Sequence, residues 1–66
     1  MKILVNGEPR ETPPDATILD LLRQLNLEDR RVAVMIQGEI VRRADHPQRR
    51  LDEGDSVEII NMVGGG

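Results

Sequence analysis

Three consecutive glycines, Gly64, Gly65 and Gly66, close the chain and leave the α-carboxylate of Gly66 as the reactive group of this segment. Glycine makes up about 7% of an average protein, so such a run at one end is rarely incidental. An α-carboxylate has a pKa of about 3.3–3.7 and is ionised and unreactive at neutral pH. Gly64 and Gly65 lack a Cβ and can enter a narrow channel. The Gly66 carboxylate is therefore either the functional group of the chain, with Gly64 and Gly65 providing its access, or part of a frayed chain end.

Residues 1–63 are predicted to form a single domain, and residues 64–66 a flexible tail. Sixty-six residues leave no room for a second domain. The core must be aliphatic, because the chain contains neither an aromatic residue nor a cysteine. At about 3.3 Å per extended residue, the three glycines reach roughly 10 Å beyond the last strand, which is enough to enter a partner's active site.

The charge balance argues against nucleic-acid binding. Nine Lys and Arg residues stand against twelve carboxylates, for a net charge of −3, whereas nonspecific binding depends on positive charge. The arginine pairs at 30–31, 42–43 and 49–50 are interpreted as solvated surface charge. No apolar run reaches the 18 or so residues of a membrane span, and the first apolar run is too short for a signal peptide. We expect a soluble, cytoplasmic protein without a membrane partner.

No catalytic or metal-binding constellation is evident. His46 is the single histidine and has no partner at metal-ligand spacing, so we expect a surface-loop residue. Asp52, Glu53 and Asp55 surround Gly54, a pattern typical of a turn rather than of a calcium loop. Nothing resembles a nucleophile–base pair. The sequence therefore gives no indication of intrinsic enzymatic activity, and it predicts no metal site and no bound cofactor.

The first elements along the chain are a β-hairpin and a helix. Lys2–Val5 alternates in polarity and is followed by Asn6-Gly7, a strong signal for a type I′ turn into a return strand over Glu8–Glu11. Thr17 and Asp20 form a T-x-x-D capping box. Ile18, Leu21, Leu22 and Leu25 then recur at the spacing of one apolar helix face.

Three more strands follow the helix. Arg31–Gln37 is rich in Val and Ile and predicts a strand, and Gln37-Gly38 turns into a short strand over Glu39–Val41. Residues 42–50 predict a loop with at most one helical turn, and Ser56–Val63 predicts the last strand. The order β-β-α-β-β-β, with one helix across a mixed sheet, is the α+β β-grasp arrangement of ubiquitin-like domains.

Strand alternation places a candidate partner-binding surface beside the tail. Val57 and Ile59 are predicted to point inward, so their neighbours point to the outer face of the sheet. An apolar outer face next to a reactive tail is a candidate docking surface, although ordinary exposed apolar surface is an equal alternative. Arg42 or Arg43 could border it. The predicted docking residues are Leu4, Ile60, Met62 and Val63.

Four segments of the chain resemble the ThiS/MoaD family of bacterial sulfur carriers, and its thiamine-biosynthesis branch more than its molybdopterin branch. They are the opening MKILVNGE, the helix start TILDLL, the central strand pair VAVMIQGEIV, and LDEGDSVEI leading to the terminal glycines. The resemblance covers the whole chain.

The resemblance implies that Gly66 is adenylated by an E1-like enzyme (ThiF type), which uses ATP and Mg²⁺ in its own site. A cysteine-derived persulfide then provides the sulfur for a thiocarboxylate on Gly66. A thiazole synthase (ThiG type) would receive this sulfur in thiamine biosynthesis.

Alternative functions remain open from the residues alone. The sulfur could go to tRNA thiolation, molybdopterin or cysteine. The chain could be a ubiquitin-like modifier whose Gly66 forms an isopeptide bond. It could also be a passive β-grasp interaction module with an incidental tail.

Overall fold

The first hairpin forms where the sequence places Asn-Gly between two short strands. A computed structural model of the protein describes residues 1–61. Strand β1 (Lys2–Val5) pairs antiparallel with β2 (Glu8–Glu11). Asn6 and Gly7 have φ values of 51° and 86°, the two positive angles of a type I′ turn. The predicted hairpin is confirmed.

A second hairpin has a turn of the same kind. Strand β3 (Val32–Ile36) pairs antiparallel with β4 (Glu39–Val41). Gln37 and Gly38 between them have φ values of 54° and 83°. A non-glycine residue seldom adopts a positive φ, so Gln37 shows that tertiary pairing of β3 and β4 prevails over the local preference.

Helix α1 (Ile18–Gln24) begins at the predicted capping box. The Thr17 hydroxyl accepts a hydrogen bond from the Asp20 amide at 3.2 Å, and the Asp20 carboxylate accepts one from the Thr17 amide at 3.0 Å. This backbone N–H donates to the charged form of the carboxyl and lowers the pKa of Asp20. The helix ends at Gln24 with Leu25 as its C-cap. The next residue, Asn26, has a φ of 60°, which lets the Leu27 amide reach the Leu22 carbonyl at 2.7 Å, a Schellman closure.

Strand β5 (Ser56–Asn61) lies at the centre of the sheet. It runs parallel to β1 and antiparallel to β3, giving the strand order β2-β1-β5-β3-β4. This mixed sheet with a single α-helix confirms the predicted α+β β-grasp class and element order. Met62 and Val63, predicted to continue the last strand, lie outside the described residues, as do the domain limit at 63 and the tail at 64–66.

The core lies between the inner face of the sheet and α1. It is aliphatic, as the composition requires, and its most enclosed side chains come from α1 and from the three inner strands. Leu25, Leu27 and Val41 pack around its margin. The fully buried side chains are Ile3, Ile18, Leu21, Val34, Ile36 and Val57.

His46 does not lie on the surface as predicted. A 3-10 helix (Arg43–Asp45) turns the loop back onto α1, and His46 is only 4% exposed. Its Nε2 lies 3.1 Å from the Val41 carbonyl oxygen, and its own carbonyl accepts a hydrogen bond from the Leu19 amide. The prediction failed because the loop folds back onto α1, a contact between residues distant in the sequence that no local pattern reveals.

The acidic segment before β5 is a turn, as predicted. Gly54 has a φ of 83°, and its amide donates to the Lys2 carbonyl at 2.8 Å. The Asp55 carboxylate accepts a hydrogen bond from the Asp52 amide at 2.8 Å, and the Glu53 carboxylate accepts one from the Lys2 amide at 3.1 Å. The Asp55 carboxylate therefore closes the turn itself, while the Glu53 carboxylate and the Gly54 amide tie the turn to the start of β1.

Candidate functional site

The predicted reactive residue, Gly66, and its access residues, Gly64 and Gly65, lie outside the described residues. The structure instead shows the strand that leads toward them. In β5, Asn61 pairs with Val32, the first residue of β3. The described part of β5 therefore ends beside the start of β3, and we call this end of the strand the chain exit.

The outer face of the sheet carries an apolar cluster next to this exit. Ile60 lies directly opposite Ala33 on β3, and Met35 lies directly opposite Ile40 on β4. Residues directly opposite in an antiparallel pair have Cβ atoms about 5 Å apart. Ile60 is 50% exposed and Ile40 is 70% exposed, whereas Ala33 and Met35 are half-buried. We call Ala33, Met35, Ile40 and Ile60 the outer patch.

The predicted docking residues fall in different places. Ile60 belongs to the outer patch, and Met62 and Val63 lie outside the described residues. Leu4 is on the same face and 38% exposed, but it pairs with Ser56 at the start of β5. Ile60 is four residues further along that strand, about 13 Å away at 3.3 Å per residue. Leu4 therefore lies at the end of the face remote from the chain exit.

Sequence reasoning missed Ile40 and Met35 as surface candidates. The alternation of Met35 with Val34 and Ile36 was visible in the sequence, and the Gln37-Gly38 turn fixes the register that places Ile40 opposite Met35. What the sequence did not reveal was the order of the strands, which places β3 between β4 and β5. That order brings Ile40 to the same cluster as Ile60.

Positive charge borders the outer patch. Arg42 continues β4 in an extended conformation, with φ −66° and ψ 147°, so alternation places it on the same face as Ile40. Residues 30–50 contain six arginines and two carboxylates, whereas the remaining residues contain three cations and ten carboxylates. Ile40, Arg42 and Arg49 also line one shallow depression beside the free edge of β4. Glu58 on β5 lies directly opposite Met35, so the patch also has a carboxylate beside it, and only its Arg42 side favours an acidic partner.

A cleft opens on the opposite, helix-bearing side of the same strand end. Its apolar lining consists of Val5, Leu25, Leu27 and Ile59, and its polar lining of Asn6, Glu8, Arg10 and Asn61. The cleft has a volume of about 370 Å³. The end of the described part of β5 thus lies between the apolar outer patch and a cleft of mixed polar and apolar lining.

Neither a metal centre nor a membrane-spanning helix occurs in the described part of the chain. Within residues 1–61, no three His, Cys, Asp or Glu side chains are placed to hold a metal ion. No helix in this range has the length and apolar character needed to cross a membrane.

Comparison with known families gives a match over almost the whole chain. The sequence profile described as the ThiS family matches residues 3–66. A sulfur carrier protein ThiS of Thermus thermophilus is 33% identical over 64 residues, which cover 97% of this chain and 98% of that protein. The matched segments include the described body and the glycines beyond it.

A second type of relative is much longer. A thiazole synthase of Paramagnetospirillum magneticum is 38% identical over 66 residues, which are the whole of this chain but only 20% of that protein. The chain thus spans about a fifth of the length of this relative.

Solved structures agree with the fold. The crystal structure of a thiamine biosynthesis protein (ThiS) from Geobacter metallireducens superimposes with a TM-score of 0.84. It is 29% identical in sequence, and the match covers 100% of both chains.

Proposed function

The chain belongs to the ThiS family, and we propose that it is a sulfur carrier whose Gly66 carboxyl becomes a thiocarboxylate that donates sulfur for thiazole formation in thiamine biosynthesis. The end-to-end match with a sulfur carrier of similar length is the observation that carries this proposal. The β-grasp body with its central strand directed toward the glycines supports it.

The chemistry would take place at the carboxyl carbon of Gly66. An E1-like enzyme would transfer AMP from ATP, with Mg²⁺ in the enzyme's own site, to the Gly66 carboxylate and release pyrophosphate. The terminal sulfur of a cysteine-derived persulfide would then displace AMP. A second thiol would cleave the resulting acyl disulfide and leave the thiocarboxylate. These steps use ATP, so we place them in the cytoplasm.

The chain would contribute a tethered acyl group and no catalytic side chain. Its relative from Thermus thermophilus is named as a carrier protein and not as a catalyst. Without a Cβ, Gly64 and Gly65 would let the carboxyl pass into an active site too narrow for substituted residues. Catalysis would therefore come from the partner enzymes.

The outer patch would dock the activating enzyme. Exposed apolar side chains beside a charged rim are typical of interaction surfaces. Ile60 would contact this enzyme directly. If the strand continues as the sequence predicts, Met62 would face the same partner, because residues two apart in a strand point to one face. The arginine-rich surface around Arg42 would select an acidic surface on that enzyme.

A thiazole synthase is the proposed acceptor enzyme. The thiazole synthase of Paramagnetospirillum magneticum contains a segment that is similar to this whole chain. The presence of such a segment in the same polypeptide as a thiazole synthase supports the proposal that this chain binds a thiazole synthase.

The proposal is tested by incubating the protein with an active E1-like enzyme, ATP, Mg²⁺ and a persulfide donor. Replacing the terminal oxygen with sulfur adds about 16 Da, but oxidation of a methionine adds nearly the same mass. The two are separated with iodoacetamide, because a chain without cysteine presents no thiol other than the thiocarboxylate. We expect alkylation of the wild type and none after deletion of Gly66. No alkylation with a demonstrably active enzyme would refute the proposal.

Two further arms test the alternative functions. A protein modifier would give conjugates that survive reducing denaturation, whereas a carrier would give none. Complementation of a thiazole-requiring strain by the wild type, and not by the Gly66 deletion, would support thiamine biosynthesis. Complementation by the deletion variant would indicate a passive interaction module. Thiocarboxylate formation without complementation would indicate another sulfur pathway.

A further inference from the structure

Strand β5 loses one of its two neighbours before the described chain ends. Its first half pairs with β1 through Val5 opposite Val57, and the Asn6 amide donates to the Val57 carbonyl at 2.8 Å. At Asn6 the chain turns away into the first hairpin. Beyond this point, β5 keeps backbone pairing with β3 alone.

The Asn6 side chain forms hydrogen bonds with β5 where a neighbouring strand would otherwise form them. Its Oδ1 accepts a hydrogen bond from the Ile59 amide at 2.8 Å, and its Nδ2 donates to the Ile59 carbonyl at 3.3 Å. One side-chain amide thereby satisfies both backbone groups of a residue that is only 9% exposed. Groups buried to this degree need such partners. The bonds lie two residues before Asn61, the last described residue.

We infer that Asn6 is a positioning residue, which fixes the direction in which β5 presents the Gly66 carboxyl to the activating enzyme. This inference rests on the proposed function. A strand paired on one side only frays at its end, and a spread of chain directions lowers the fraction of encounters in which the carboxyl is aligned with ATP. Asn6 opposes that spread without touching any reacting atom.

The role predicts an effect on turnover rather than on docking. Asn6 lines the cleft on the helix side, whereas the outer patch is on the opposite face. Loss of the Asn6 side-chain amide should therefore leave the affinity of the folded domain for the activating enzyme unchanged. The rate at which a docked carrier is adenylated should fall.

The chain offers a matched control for this test. Asn6 and Gln37 both hold the first position of a type I′ turn, with φ values of 51° and 54°. The Asn6→Gly and Gln37→Gly variants both place glycine at a positive φ, which glycine tolerates well. Only Asn6→Gly removes side-chain bonds to β5. A third variant, Asn6→Asp, keeps an acceptor for the Ile59 amide and a turn-compatible residue.

The experiment combines hydrogen exchange with steady-state kinetics of thiocarboxylate formation. For Asn6→Gly we expect exchange of the Ile59 amide to become about tenfold faster and kcat to fall about tenfold, with KM unchanged. Gln37→Gly should match the wild type in all three quantities. Asn6→Asp should retain more Ile59 protection and more kcat than Asn6→Gly.

The outcomes separate this inference from the proposed function. A wild type that forms no thiocarboxylate would refute the proposed function, and the inference with it. A wild type that turns over while Asn6→Gly and Gln37→Gly have equal kcat would overturn the inference alone. A loss confined to KM would also overturn it, because it would assign Asn6 to docking.

Discussion

Ile59 and Ile60 are consecutive residues of β5 with opposite environments, and together they test whether the outer patch docks the activating enzyme. Ile59 faces the core and is 9% exposed, whereas Ile60 faces outward and is 50% exposed. Ile59→Val removes one buried methyl group and should cost about 1 kcal/mol of unfolding free energy. Ile60→Ala removes a half-buried side chain and should also cost about 1 kcal/mol.

The two variants should therefore unfold alike. A domain of this length has an unfolding free energy of about 3–10 kcal/mol, so both variants remain folded. Each should lower Tm by about 4–8 °C, which thermal melts followed by circular dichroism would measure.

Their kinetics should differ. An interface anchor contributes more than about 1 kcal/mol to binding, so Ile60→Ala should raise the KM for adenylation about tenfold. Ile59→Val should leave KM unchanged, because its side chain does not reach the outer face. Equal KM values for the two variants, at matched stability, would refute the docking role of the outer patch.

Three further predictions concern the fold. Thr17→Val removes the acceptor for the Asp20 amide and should cost about 1 kcal/mol in a denaturant melt; an unchanged midpoint would contradict the capping role. Because the pKa of Asp20 is lowered in the folded state, its stabilising effect is present above its ordinary pKa and lost as pH falls through the lowered value. The stability gap between wild type and Asp20→Asn should therefore close on acidification, and a gap independent of pH would disprove this. Gly54→Ala should cost about 1–2 kcal/mol through its φ of 83° alone, since an added Cβ meets no atom within 4 Å; a neutral result would show that the turn relaxes.

Local signals predicted much of this fold. Asn6-Gly7 fixed a hairpin because its turn type depends on two adjacent residues, and Thr17 with Asp20 fixed the helix start for the same reason. The inward direction of Val57 followed from alternation along a single strand. Features of this kind need no knowledge of distant partners.

Contacts between residues that are distant in the sequence were harder to predict. His46 was predicted to be on the surface, yet it is buried, because the loop that carries it folds back onto α1, where its carbonyl accepts a hydrogen bond from the Leu19 amide. Ile40 was missed because its proximity to Ile60 depends on strand order rather than on local sequence. The hydrogen bonds between the Asn6 side chain and Ile59, 53 residues further along the chain, could not be predicted from the sequence for the same reason.

The central claim, that Gly66 carries the sulfur, is tested most directly by fragmenting the C-terminal tryptic peptide of carrier isolated from cells that contain the activating enzyme. The chain has no Lys or Arg after Arg50, so residues 51–66 form one peptide, which includes Met62. The account predicts fragments containing only the terminal glycines that are about 16 Da heavier than those of the carboxylate form. A shift confined to fragments that contain Met62 would indicate oxidation of that residue. That result, or a peptide that continues beyond Gly66, would contradict the account.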